Sequence, residues 1–323
     1  MVKKNQQKNL GNQSNLRIHP FNFLKSWRSL PAYELIGYVF MFSGIQLLAY
    51  QLQLFSPSFV IDFFSCIIAL YTGFFAALIW NDITDSDIDR IVHPTRPIPS
   101  DRISPTRFFC IGVILAILTL LFSFIVNLYF FIAVIFLAIF VTIHNKYLKR
   151  KMHIPAYSEI FTPIQWAMVP VLCFLSMRNF SIFPLIYLVL FTYFSISSHD
   201  IVEGIHDFKG DKKSGVQTYA VSFGVQKAVF ISLIWFVLSG IFAVFLFIYS
   251  FVSILFLVLF FILFVYTAYS YVTFIKKIRF DSVLGEKQSM ILGRKGYNYF
   301  LFTYIIIFFD VVIKYYFSGF FLI

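Results

Sequence analysis

From Phe63 to Trp80 the chain runs eighteen residues without a charge, "FFSCIIALYTGFFAALIW", and then turns at once to "NDITDSDIDR". A run of that length suits a helix crossing the hydrocarbon of a bilayer and exceeds the ~9–11 residues of a barrel strand. Comparable runs fall near 32–54, 58–80, 106–126, 128–147, 158–177, 181–202, 225–248, 251–274 and 298–318. The expected fold is therefore all-α, a polytopic bundle of nine transmembrane helices. Composition agrees, with 59% hydrophobic and 13% charged residues, where soluble domains sit near ~25% charged. At Asn127 two runs meet with almost no loop. Cys66, Cys110 and Cys173 lie scattered in apolar runs and read as small hydrophobes, not as a disulfide framework or a metal site.

Charge gives the runs a direction. Of 26 Lys and Arg residues, 24 fall in the N-terminal segment or in the 2–3, 4–5, 6–7 and 8–9 connections, leaving only Arg178 and Lys314 for the other side. By the positive-inside rule the protein is an integral, multi-pass membrane protein with a cytoplasmic N-terminus and its C-terminus outside. The net charge of +11 then reflects topology and anionic lipid headgroups, and no nucleic acid is needed. Residues 1–30 read as a polar tail and an interfacial segment, where Phe21, Phe23, Leu24 and Trp27 mix with Arg17, Lys25 and Arg28. Residues 31–323 read as a single transmembrane domain. Its first run is too long and too far from the N-terminus for a cleaved signal peptide, so it is expected to be an anchor.

Nine of the fifteen acidic residues crowd into Asp82–Asp101 and Asp200–Asp211, at equivalent ends of the second and sixth runs. Asp82, Asp85 and Asp89 share one helix face, with Asp87 turned away, and Asp200, Glu203, Asp207 and Asp211 form a second stripe. Like charges on one face repel, and burial beside lipid adds a desolvation cost. A cation must therefore sit between them. Hard oxygen ligands without His or Cys partners suit Mg²⁺ best, and Mg²⁺ takes one or two carboxylates together with phosphate oxygens. Two stripes ringed by Arg and Lys describe a diphosphate site bridged by metal ions. A solvated acidic loop is the plainer alternative, and two in-register stripes weigh against it.

The form N-D-x-x-D-x-x-x-D from Asn81 to Asp89, followed by "HPTRPIPSDRIS", resembles the UbiA superfamily of intramembrane prenyltransferases. The resemblance implies nine helices and an active site opening to a cytoplasmic cap made by the 2–3 and 6–7 loops. It also implies Mg²⁺ as cofactor, with an isoprenyl diphosphate, a lipophilic acceptor and membrane lipids as partners. In the second motif the family pattern is D-x-x-D-x-x-x-D, often after a Lys. Here Asp207 and Asp211 take the last two positions, Gly204 stands at the first, and Glu203 stands where the Lys would be. Either Asp200 or Glu203 would restore the ligand. Glu203, one turn before Asp207, is the favoured candidate. The missing Lys weighs against acceptors that carry their own phosphate. "KKSGVQTYAVSFG" resembles the family's continuation.

On this reading Asp82, Asp85 and Asp207 are catalytic. One Mg²⁺ rests on Asp82, Asp85 and Asp89, and a second on Asp207 and Asp211 with Asp200 or Glu203. Asn81, Arg96, Lys149, Arg150 and Lys212 would bind substrate, Arg96 foremost because the resemblance falls on it. Tyr147, Tyr193 and His199 lie near the same mouths and could contact substrate. Asp310, deep in the last run, is a functional candidate by default or a hydrogen-bond partner between helices. Acceptors in quinone, ether-lipid, chlorophyll or carotenoid synthesis all remain open. A cation transporter would also place carboxylates in a membrane, but near its midplane on broken helices, and a non-catalytic family member is the other alternative. Single cysteines at positions 85 and 207 are expected to label from the same membrane face, and labelling from opposite faces would overturn the topology.

Overall fold

The structure is a computed structural model that describes Trp27 and residues 31–51, 58–278 and 285–316. The polar tail and interfacial segment therefore lie outside the described residues, apart from Trp27. Twelve helices are used here: α1 Ala32–Gln51, α2 Phe59–Thr84, α3 Ser86–Val92, α4 Pro105–Val126, α5 Leu128–Ile143, α6 Tyr157–Ser176, α7 Ile182–His206, α8 Phe208–Ser214, α9 Tyr219–Phe223, α10 Val225–Ile248, α11 Ile254–Ile278 and α12 Gly285–Tyr316. Nine of them are long and apolar enough to cross a membrane, and there is no strand among the described residues. The chain is an all-α, polytopic membrane protein.

Neighbours in sequence are mostly neighbours in space. α2 packs on α4, α4 on α5, α5 on α6 and α6 on α7. α7 in turn packs on α10 and α12, α10 on α11, and α12 on α1, which returns to α2 and α6. α1, α6, α7 and α12 form the interior, whereas α4 turns most of its length outward. Leucines and phenylalanines on that outer side need no partner in water, because lipid tails solvate them.

Local chemistry explains the junctions. Asn127 closes α4 and opens α5: its Oδ1 accepts from Phe130 N–H at 2.9 Å, and its Nδ2 donates to Leu175 O at 2.9 Å. One residue can therefore reverse the chain where the sequence left no loop. Ser104 caps α4, accepting from Arg107 N–H at 3.4 Å with Pro105 at the first helical position. Positive φ at Gly215 and Gly224, 76° and 87°, ends α8 and α9. α12 starts at Gly285, earlier than the apolar run beginning near 298, so Arg294 and Lys295 belong to a helix and not to a loop.

Asp310 is a helix cap. Its carboxylate accepts from Ser253 N–H at 2.8 Å, from Phe256 N–H at 3.1 Å and from the Ser253 hydroxyl, so α12 closes the N-terminus of α11. Of its two roles left open by the sequence, the hydrogen-bond role between helices is the one formed. Asp310→Ala is expected to cost about 2 kcal/mol, the price of stripping an acceptor from buried donors. Denaturant unfolding in detergent would measure this, and an unchanged midpoint would refute it.

Candidate active site

Two matched kinks build the site. Asp85 joins α2 to α3 at φ −101°, ψ 11°, and Asp207 joins α7 to α8 at φ −85°, ψ 0°. Both lie in the sparsely allowed bridge region. Neither kink interrupts the ladder. Asp85 donates to Asn81 O and Asp89 to Asp85 O, both at 2.9 Å; Asp207 donates to Glu203 O and Asp211 to Asp207 O, both at 3.0 Å. The helical spacing of the carboxylates survives each bend, and α3 packs against α8.

The two stripes therefore meet at one cavity of about 990 Å³. Asp85, Asp89, Asp200, Glu203, Asp207 and Asp211 line it, together with Asn81, Arg96, Lys149 and His199. Asp82 sits just behind the wall, 1% exposed. Trp27 Nε1–H donates to one of its oxygens at 2.5 Å, and Arg96 lies 3.7 Å from the other. Arg96 also donates to Asp89 at 2.6 Å, and Lys149 to Asp85 at 2.7 Å. His93, which the sequence reading passed over, brings Nε2 to 3.5 Å from Asp207 and so links the loop after α3 to the second stripe.

Charge and burial compete here. Burial disfavours the charged Arg96 guanidinium, but Asp89, Asp82 and Asp207 outweigh it and hold the proton more tightly than usual. Burial acts on Lys149 in the same way, and Asp85 overrides it. Burial, then Asp207, pushes the Asp211 carboxyl up to about 7. Oδ2 of Asp200 and Oδ1 of Asp207 are buried and accept no hydrogen bond among the described residues. Crowded carboxylate oxygens short of donors fit a hard divalent cation such as Mg²⁺. His199, Asp200 and Glu203 also bring ligand atoms within 4.8 Å of one another.

Three of the substrate-binding candidates fall outside the cavity lining. Tyr147 is 44% exposed beneath Lys146 and Lys151, Tyr193 donates to Ile160 O at 3.0 Å, and Lys212 rests over the Phe208 ring. The Arg150 side chain lies outside the described residues. In place of Tyr147 and Tyr193, Tyr38, Phe74, Trp166 and Tyr297 line the cavity. Trp166 stands at the centre of that group, with ring centroids 5.8, 5.5 and 6.2 Å from Tyr38, Phe74 and Tyr297. With 45 Phe and 19 Tyr in the chain, no sequence signal separates these rings from those facing lipid.

Glu159 and Arg294 are further residues that the sequence reading missed. Arg294 lines the cavity from α12. Glu159, on the first turn of α6, is the carboxylate that lies against Gly204; Glu203 has its side chain 62% exposed beside His199. A carboxylate inside an apolar run was the available signal for Glu159, the same one that singles out Asp310.

The model of the UbiA prenyltransferase family matches residues 38–317. A digeranylgeranylglyceryl phosphate synthase from Sulfurisphaera tokodaii is 32% identical over 154 residues, 47% of this chain. That match spans 54% of the relative, so the chain covers about half the length of this curated protein. Among solved structures, the apo form of a UbiA homologue from Aeropyrum pernix K1 superimposes with a TM-score of 0.67 at 16% identity, covering 88% of this chain and 99% of that one. A UbiA homologue from Archaeoglobus fulgidus bound to GPP and Mg²⁺ gives 0.53 at 14% identity, covering 83% and 96%. At such identities the structural likeness concerns the fold.

Lys149 provides a test of the electrostatics. Lys149→Met removes the ammonium beside Asp85, whose side chain is 5% exposed, and leaves a buried carboxylate without that counter-charge. The metal-free protein is expected to lose roughly 3 kcal/mol. Added Mg²⁺ should recover part of it. Thermal unfolding with and without Mg²⁺ reads both effects, and a variant as stable as the parent would refute this account.

Proposed function

Because the chain belongs to the UbiA prenyltransferase family, we propose that it transfers an isoprenyl group from an isoprenyl diphosphate to a lipid acceptor in the membrane, releasing diphosphate. The observation that carries this reading is the meeting of two carboxylate stripes, Arg96 and Lys149 on one cavity that continues into an aromatic interior. Asp82, Asp85 and Asp89 would hold one Mg²⁺, and Asp207 and Asp211 a second, with Asp200 and Glu203 at the same mouth. Bound Mg²⁺ would neutralise the charge that develops on the departing diphosphate. Arg96 and Lys149 add fixed positive charge at that end, and Asn81 and His199 line the same cavity.

The allylic carbon left behind needs a dry pocket with electron-rich faces. Tyr38, Phe74, Trp166 and Tyr297 offer those faces and exclude water, so that the acceptor hydroxyl and not solvent attacks the carbon, its proton leaving with the released diphosphate. For the acceptor we favour a glyceryl phosphate that already bears one isoprenyl chain. The product named for several curated relatives supports this choice, and Arg294, lining the cavity from α12, offers a cation for such a phosphate despite the missing Lys. In this reading residues 31–323 form one transmembrane domain, the mouth and N-terminus face the cytoplasm, and the C-terminus faces outward, in line with the distribution of Lys and Arg.

Membranes containing the protein, given labelled geranylgeranyl diphosphate and geranylgeranylglyceryl phosphate, are expected to form a doubly alkylated glyceryl phosphate of the matching mass. EDTA should abolish its formation. Asp85→Asn should lower turnover roughly 10²–10³-fold, as for loss of one group stabilising transition-state charge. Labelled product in EDTA would overturn the metal mechanism, and transfer to no acceptor would overturn the function.

A further inference from the structure

The two kinks put the chain's own acidic motifs in register. Taking Asp85 as equivalent to Asp207, Asp89 corresponds to Asp211, and Asp82 corresponds to Gly204. The second motif therefore lacks the carboxylate that Asp82 supplies to the first. The space is not vacant. A Cβ built on Gly204 would lie 1.9 Å from Glu159 Oε1 and 3.1 Å from its Cδ. An aspartate at 204 would carry its carboxylate one bond beyond that Cβ, into the volume that the Glu159 carboxylate fills.

Glu159 also repeats the setting of Asp82. Asp82 is 1% exposed and Glu159 is 5% exposed. Asp82 accepts from Trp27 Nε1–H, and Glu159 Oε2 accepts from Tyr219 N–H, each at 2.5 Å. The remaining oxygen, Glu159 Oε1, is buried and accepts no hydrogen bond among the described residues. The charges that act on Glu159 are those of Asp200, Asp211 and Asp207. A buried carboxylate oxygen with no donor of its own, in the field of three other carboxylates, is costly unless a cation meets it.

We propose that Glu159 supplies, from α6, the metal-binding carboxylate that the second motif lacks at Gly204. The carboxylate has moved to another helix while keeping its place in space. The local backbone holds it there. Ala156 adopts φ 57° just before α6, Ser158 N–H donates to Gln217 O at 3.2 Å, and Ala156 N–H donates to Ser222 Oγ at 3.0 Å. These bonds tie the start of α6 to the segment after α8 and aim Glu159 at the underside of Gly204.

The inference rests on the two-metal reading above, so the experiment reads metal directly. Full-length protein in detergent is dialysed against Mn²⁺ with inorganic pyrophosphate, and protein-bound Mn²⁺ is counted by electron paramagnetic resonance. The parent is expected to bind two ions. Glu159→Gln keeps the shape and an acceptor for Tyr219 N–H but loses the charge; it should bind the second ion about tenfold more weakly or worse. Gly204→Asp alone collides with Glu159 and should bind no better than Glu159→Gln. Glu159→Ala combined with Gly204→Asp clears the collision, returns the carboxylate, and should restore the second ion to within about threefold of the parent, a scale set by ordinary ligand tuning. A structural Glu159 gives a different pattern: Glu159→Gln binds as the parent does, which would overturn the proposal. A folded double variant that stays at one ion would overturn it too. A parent that binds no Mn²⁺ would instead overturn the two-metal reading itself.

Discussion

Nine carboxylates line this cavity or lie close behind its wall: Glu34, Asp82, Asp85, Asp89, Glu159, Asp200, Glu203, Asp207 and Asp211. Two unit charges 4 Å apart interact by about 4 kcal/mol at the effective dielectric of a protein surface. Such a cluster would push its helices apart if it stood alone. Arg96 and Lys149 answer part of that charge through contacts of 2.6–2.7 Å, and His93 borders Asp207. The rest calls for divalent cations, and the site, its loops and its neighbouring basic residues can all be understood as consequences of that need.

Meeting the constraint required the backbone to depart from straight helices at matched points. A straight α2 would continue its stripe away from α7, along its own axis. The bends at Asp85 and Asp207 turn α3 and α8 toward each other while keeping the i to i−4 bonds that hold the carboxylate spacing. The connection from α5 to α6 adds the cation, because the π-helical turn His144–Leu148 precedes Lys149 and lets it reach Asp85. Fixed counter-charge placed before substrate arrives costs no reorganisation when the leaving group develops its own charge.

The sequence made the fold legible because lipid leaves few choices. Apolar length and the alternation of basic connections gave all nine spans, with ends misplaced where polar side chains continue a helix, slightly at Asp82 and by more than ten residues at the start of α12, ahead of Arg294 and Lys295. The acidic stripes were equally legible, since helical spacing alone predicts which carboxylates share a face. Tertiary facts were not. Trp27 donating to Asp82, the rings around Trp166 and the Glu159 carboxylate under Gly204 all join residues more than forty positions apart. In a chain so rich in aromatics, neither composition nor period marks which rings face the cavity. Tyr147 and Tyr193 were chosen by closeness in sequence to the mouths, and their side chains turn toward Lys146 and Ile160 instead.

The division of the cavity into a charged mouth and an aromatic interior has a mechanical consequence. On the proposed function, a diphosphate would be neutralised at the mouth, where Arg96, Lys149 and the carboxylates converge, and its hydrocarbon chain would run inward past Trp166. The reactive carbon would then lie at the border between the two environments. On one side fixed charge would hold the leaving group, and on the other the rings of Tyr38, Phe74 and Tyr297 would exclude the water that otherwise captures the cation. Opposite polarities a few ångströms apart are hard to maintain on mobile loops. Here the rings come from α1, α2, α6 and α12, packed helices whose positions are set far from the mouth, by contacts such as Gly44 against Phe308. Rigid spans fix where the rings stand, and the short helices α3 and α8 fix where the carboxylates stand.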